Sequence, residues 1–238
     1  FIFFLCLQKS FIVIFSNNLL IKEIRFSFLQ NSYFLNNYIS IIWTLLCFLL
    51  FVNALNMFDG INYQVTIYSI MICIFFILND YHYIFFIILK MSLLFFLILN
   101  HNNKAFLGDS GSYLLAFVFS YFFIKFYNQT NLINTDQIVL FMIIPGLDLM
   151  RLFIYRIYKG NYPFTPDRNH LHHILLLNNN LITTNIKIFL LTALPGIIGF
   201  YLQGVLSHIS HYWFYLFIAH HSDNILYLFS IKEIINEI

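Results

Sequence analysis

Hydrophobic residues run along this chain in long unbroken stretches separated by short polar breaks. Runs of this kind read as helices crossing a hydrocarbon core, which takes about 20 residues. Eight spans are predicted, at about 1–20, 38–57, 62–79, 82–99, 111–127, 137–158, 183–203 and 209–230. Strict alternation of apolar and polar positions is absent, which argues against a transmembrane β-barrel. Helices are the remaining way to satisfy every backbone hydrogen bond in lipid. Asn79-Asp80 splits one apolar stretch into a hairpin, and Asn128 to Asn131 and Asn178 to Asn180 are short connectors. Lys22 to Asn37 is a longer polar link, read as partly an interfacial helix. No repeat and no large break interrupt the pattern. The expected fold is therefore all-α, a polytopic transmembrane bundle forming one integral-membrane domain over residues 1–238.

Composition narrows the class further. Of 238 residues, 61% are apolar, 21% aromatic and only 9% charged. An ordinary soluble domain carries roughly a quarter charged residues. Such a chain would cover a soluble surface with apolar patches. This excludes a soluble globular enzyme, a disordered chain and a small secreted disulfide scaffold. The net charge of +2 gives no nucleic-acid signal. Cys6, Cys47 and Cys73 lie in apolar runs without pairing or metal spacing, and read as small core hydrophobes.

Lys and Arg near the span ends set the orientation. Alternating the spans puts the ends near 59, 100–110, 159–182 and the C-terminus on one side. That side holds Lys104, Arg151, Arg156, Lys159, Arg168, Lys187 and Lys232, against Lys22, Arg25 and Lys125 on the other. The first side is predicted to be cytoplasmic. It also collects most of the unusual Asp, Asn and His residues.

Three segments on that side carry candidate chemistry. In Asn53-Ala-Leu-Asn56-Met-Phe-Asp59-Gly60-Ile-Asn62, a continuous helix would hold Asn53, Asn56 and Asp59 within an arc of about 120°. Asn offers a donor and an acceptor, Asp59 a charge, and Gly60 suits a helix end. A polar helix terminus with a glycine cap reads equally well. In Gly108-Asp109-Ser110-Gly111-Ser112, Asp109 opens a helix. It is either an N-cap or a ligand of Mg²⁺, which keeps few protein ligands and bridges to substrate phosphates. The free backbone N–H groups there suit phosphate. In Pro163 to His173, Asp167, Arg168, His170, His172 and His173 crowd one loop. Anion recognition, a non-catalytic loop and a zinc site are the three readings. Asp148 and Arg151, three residues apart in an apolar helix, read as a structural ion pair or as substrate-facing groups.

Together the three segments resemble the polyprenyl-phosphate N-acetylhexosamine-1-phosphate transferase family, glycosyltransferase family 4. It includes the WecA-type and TagO-type enzymes and the MraY translocase. Asn53 to Gly60 resembles its Asn-Ala-x-Asn-x-x-Asp-Gly segment, and Gly108 to Ser112 its Gly-Asp-x-Gly-Ser segment. Pro163 to His173 looks like the histidine loop of the WecA and TagO members. The resemblance implies transfer of a sugar-1-phosphate from a UDP-N-acetylhexosamine to undecaprenyl phosphate, with release of UMP. Such a product starts a lipid-linked glycan of the cell wall or of lipopolysaccharide.

By position, the resemblance makes Asp109 the Mg²⁺ ligand and Asp59, Asp109 and His170 the catalytic set. It makes Asn53, Asn56, Arg168, His172 and His173 substrate-binding. The WecA-like loop favours UDP-N-acetylglucosamine as donor. Polyprenyl phosphate and the lipid bilayer are the other implied partners, no nucleic acid is expected, and a homodimer is compatible. The expected location is the bacterial inner membrane, with a cytoplasmic site.

Two departures stand out. The family has Asp where this chain has Asn62, followed by Gly where it has Tyr63. The family also has an acidic pair ahead of these motifs, whereas the first Asp here is Asp59. The chain is therefore expected to be an N-terminally truncated member whose missing part holds that pair, and to lack activity alone. A transporter-like bundle and a degenerate, non-catalytic member are the competing functions.

Overall fold

The computed structural model describes residues 19–27, 31–160, 162 and 169–201. Seven helices follow in order: α1 (Asn37–Phe58), α2 (Gln64–Leu78), α3 (Tyr83–His101), α4 (Gly108–Gln129), α5 (Thr135–Tyr158), α6 (Leu171–Leu176) and α7 (Leu181–Tyr201). Of these, α1, α3, α5 and α7 are long and apolar enough to cross a membrane. They correspond to the spans expected at 38–57, 82–99, 137–158 and 183–203. The protein is thus a multi-pass membrane protein. Helix α2 is apolar but only 15 residues long. Helix α4 has 22 residues and carries polar groups at both ends, from Asp109 to Lys125 and Asn128. The spans expected at 1–20 and 209–230 lie outside the described residues, apart from the non-helical Leu19 and Leu20.

The link after residue 22 departs from expectation. Its described part holds no interfacial helix. Instead β1 (Glu23–Ile24) pairs antiparallel with β2 (Tyr33–Phe34) in a two-stranded ribbon. Two-residue strands are too short to leave a periodic trace in the sequence. The ribbon is tied to the bundle by Arg25. Its backbone N–H donates to the Tyr127 hydroxyl at 2.8 Å, and its guanidinium donates to the carbonyls of Tyr127 and Thr130 and to Asn131. The guanidinium also lies over the Tyr127 ring, 4.3 Å from its centroid. Asp136 accepts from the Ser27 N–H and hydroxyl nearby.

In lipid, helices gain little from hydrophobic burial against one another, so close packing and hydrogen bonds hold the bundle. The abundant Phe residues supply the packing. Phe76 stacks on Phe86 at 4.4 Å, and Phe75 meets Phe141 at 4.8 Å, joining α2 to α3 and α5. Each such pair contributes on the order of 1 kcal/mol. Small residues bring α5 and α7 together: a β-carbon at Gly196 would come within 2.8 Å of the Phe141 ring. Across the bundle, the buried Tyr68 hydroxyl donates to the Phe141 carbonyl at 2.7 Å. Helix α3 packs along α2 and buries only Phe86, Leu93 and Asn100, leaving an apolar flank of Ile84, Ile88, Met91 and Phe95 outward.

The connections sort to two ends. The Arg25 clamp, the His82–Lys125 contact and the Tyr81–Gln129 bond share one. The loops after α1, α3 and α5 share the other, as the alternation of spans requires.

Candidate active site

Helix α1 delivers its polar residues to that second end. The helix runs to Phe58, and Asp59 caps it, with its N–H on the Asn56 carbonyl at 3.1 Å. Asn56 points across to α4, where its side-chain N–H₂ donates to the Ser112 hydroxyl at 2.8 Å and reaches Asp109 Oδ1 at 3.4 Å. Asp109 sits exposed in the first turn of α4, and the chain enters that turn through Gly108 at φ +61°. No side chain caps this helix, so Asp109 is not its N-cap. Asn53 is placed differently. It donates to the Leu49 carbonyl one turn earlier in its own helix, at 2.8 Å.

Asp59 feels the charge of Asp109. Burial, and then the Asp109 carboxylate, push the Asp59 carboxyl up from the ordinary value to about 6. Two carboxylates with Asn and Ser oxygens close by form a hard-oxygen donor set. Mg²⁺ commonly uses one or two carboxylates, completing its shell with water and substrate phosphates. A divalent cation placed there would relieve the repulsion on Asp59. Among the described residues, no three His, Cys, Asp or Glu side chains gather into a metal-binding group.

A cavity of about 260 Å³ opens beside this pair, lined by Asp59, Gly60, Asn62, Tyr63, Asn100 and Phe106 among others. Asn100, overlooked in the sequence reading, builds it. This buried side chain accepts from the Tyr63 N–H at 2.9 Å and donates to the Ala105 carbonyl at 2.8 Å. It thereby ties the loop after α1 to the loop before α4. Asn62 donates to Asn103 at 3.0 Å across the same gap. The only hint in the sequence was an Asn closing an apolar run.

The histidine segment closes the site from a third direction. His170 precedes α6, and its Nδ1 lies 2.9 Å from Asp148 Oδ2 on α5. The His170 and His172 rings lie parallel, 5.4 Å apart, with His173 4.4 Å from His172. His172 is buried against Gly60, and its Nε2 has no hydrogen-bond partner. Burial, reinforced by the neighbouring His173 and His170, holds its imidazole down to about 3, against a weaker opposing pull from Asp148. His172 is therefore a neutral ring at pH 7. Asp148 and Arg151 do pair, at 2.7 Å, as their spacing suggested. The link from Asp148 to His170 had no local signal. Arg168 lies outside the described residues.

The site thus draws together Asn56, Asp59, Asp109, His170 and His172 from three segments. The sequence profile of glycosyl transferase family 4 matches residues 2–127, just over half of the chain. The chain belongs to this family. The match takes in the Asn53–Gly60 and Gly108–Ser112 segments but stops short of the histidines. Among its relatives, the undecaprenyl-phosphate alpha-N-acetylglucosaminyl 1-phosphate transferase of Escherichia coli (strain K12) is 29% identical over 115 residues, 48% of this chain and 30% of that protein. The protein of the same description from Salmonella typhi is 32% identical over 79 residues, 33% of this chain and 22% of that protein. The one from Haemophilus influenzae is 31% identical over 74 residues, 31% of this chain and 21% of that protein. The matched stretch thus spans less than a third of each of these relatives. In this glycosyl transferase family 4 chain, the conjunction of Asn56, Asp59 and Asp109 falls wholly within the family match.

Proposed function

We propose that this protein transfers N-acetylglucosamine-1-phosphate from a UDP-sugar to a polyprenyl phosphate, such as undecaprenyl phosphate, at the cytoplasmic face of a bacterial inner membrane. An oxygen of the acceptor phosphate attacks the sugar-bearing phosphorus of the donor. The bond from that phosphorus to the UMP oxygen breaks, and UMP leaves. The product starts a lipid-linked glycan of the cell envelope.

The observation that carries this reading is the convergence of the Asn56–Asp59, Asp109–Ser112 and His170–His172 segments at one end of the bundle. Phosphoryl transfer asks a protein mainly for positioning and for stabilisation of charge on phosphate oxygens. Asp109, with Asp59 beside it, would hold Mg²⁺, which supplies the positive charge for both phosphates. Asn56 fixes Asp109 relative to α1. The cavity at Asn62, Tyr63 and Asn100 has room for part of the nucleotide sugar. By the family resemblance, His170 and Arg168 would contact the phosphates. A transporter would place its polar groups near the midplane rather than at one end.

The test is transfer of radiolabelled sugar phosphate from UDP-N-acetylglucosamine to undecaprenyl phosphate by the purified full-length protein in lipid, over a Mg²⁺ titration. Transfer that needs Mg²⁺ and falls at least ~100-fold in Asp109→Asn is expected, since losing one transition-state stabiliser costs about 3 kcal/mol or more. Near-normal turnover of that variant would remove Asp109 from the mechanism.

A further inference from the structure

We propose that Asp148 is a positioning residue for this reaction: it fixes the ring of His170 so that Nδ1 carries a proton and Nε2 is left for the substrate. The inference rests on the function proposed above and concerns how one of its groups is held.

Asp148 stands in the apolar run of α5, where an ionisable side chain needs a reason to be kept. Three hydrogen bonds hold its carboxylate. Oδ1 accepts from the Arg151 guanidinium at 2.7 Å and from the Leu171 backbone N–H at 3.1 Å. Oδ2 lies 2.9 Å from His170 Nδ1. A carboxylate that takes a guanidinium and an amide proton is an acceptor only. The proton in the third bond must then come from His170, which makes Nδ1 the protonated nitrogen. Arg151 is held in turn by donating to the Asn169 carbonyl, one residue before His170. The ring is both aimed and set in one tautomer, by a group 22 residues away on another element.

The geometry places that ring at the site. His170 lies parallel to His172, which rests on Gly60, next to Asp59. With Nδ1 engaged, Nε2 is the one polar atom of His170 left to meet a phosphate oxygen or a transferring proton. A structural ion pair between Asp148 and Arg151 alone would need no third partner. The second oxygen, turned to the imidazole of a segment that carries the candidate chemistry, is what the structural reading does not require.

Partners that orient metal-ligating imidazoles are typically worth about 10–100-fold in activity, and an effect of that order is expected here. Asp148→Asn keeps the volume, and its amide oxygen can still accept from Leu171. It can no longer demand a proton from His170. In the full-length protein in lipid nanodiscs, kcat for transfer is expected to fall about 10–100-fold with KM for the UDP-sugar within about threefold. In a His170→Asn background, Asp148→Asn is expected to change kcat less than twofold, because the residue acts through the ring. Nitrogen-15 NMR of labelled histidine should show the Nδ1-protonated ring of His170 in the parent and its loss in Asp148→Asn. Unchanged kcat in the single variant, full additivity in the double variant, or an Nε2-protonated ring in the parent would each overturn the assignment. A parent protein that transfers no sugar phosphate would overturn the functional reading instead, and the ring signature would then decide alone whether Asp148 sets the tautomer.

Discussion

Gly60 lies directly under the imidazole of His172, so close that a β-carbon there would stand 1.8 Å from Nε2. The backbone at Gly60 is not left-handed. What position 60 requires is the absence of a side chain, because the ring is buried and has nowhere to retreat. Gly60→Ala is expected to destabilise the protein by about 1–3 kcal/mol through overpacking and to lower sugar-phosphate transfer at least tenfold. Thermal unfolding in detergent and the transfer assay measure the two effects. Gly60→Ala with His172→Ala should recover most of the stability and little of the activity.

His172 also gives the protein an acid-sensitive joint. Its imidazole is held from the ordinary value of 6.5 down to about 3, first by burial and then by His173 and His170. Between those limits the unfolded chain binds the proton and the folded one does not. The contribution of His172 to stability is thus complete above about 6.5 and is lost progressively as the pH falls toward 3. His172→Phe is expected to flatten the fall in melting temperature between pH 7 and pH 5. An unchanged slope would show that the ring is already charged, or wet, in the folded protein.

Asn100 predicts a different phenotype. Asn100→Leu leaves the Tyr63 N–H and the Ala105 carbonyl without partners in a half-buried place. The expected cost is about 1–3 kcal/mol. The loops on either side of the cavity lose their tie, so KM for the nucleotide sugar should rise several-fold with a smaller change in kcat. Steady-state kinetics over a UDP-sugar titration separates the two.

Gly108 tests backbone strain in isolation. Its φ is +61° and the space around a β-carbon there is open. Gly108→Ala therefore adds no clash, only a left-handed alanine, at about 1–2 kcal/mol. Gly108→Asn should cost less, since Asn tolerates that region better. Melting temperatures of the two variants rank the effect.

Much of this was legible in the chain. Long apolar runs set α1, α3, α5 and α7 within a few residues, because span length follows from bilayer thickness. The polar residues at their ends announced where the segments would meet. Pairings across helices were not legible. Asn56 and Asp59 reach the site, whereas Asn53, on the expected arc, bonds back to Leu49. A side chain that can satisfy itself on its own helix gives no sign of it in spacing. Gly60 read as a helix-end residue, and its true demand came from a ring 112 residues away. Tyr63 is informative in the opposite sense. It stands where the family has Gly, and its backbone remains left-handed at φ +75°. A left-handed backbone favours glycine, so this position carries a strain that the residue type alone did not announce.

The Arg25 clamp has a consequence for the far end of the molecule. Helix α4 carries an acid in its first turn, at the positive pole of its dipole, and a guanidinium on its last carbonyls, at the negative pole. Its 22 residues form a rod of about 33 Å. Both of its tips are pinned, one by Asn56 and one by the ribbon at Arg25. The position of Asp109 along the bundle is then set from the opposite end, and the ribbon serves as the stop against which that length is measured.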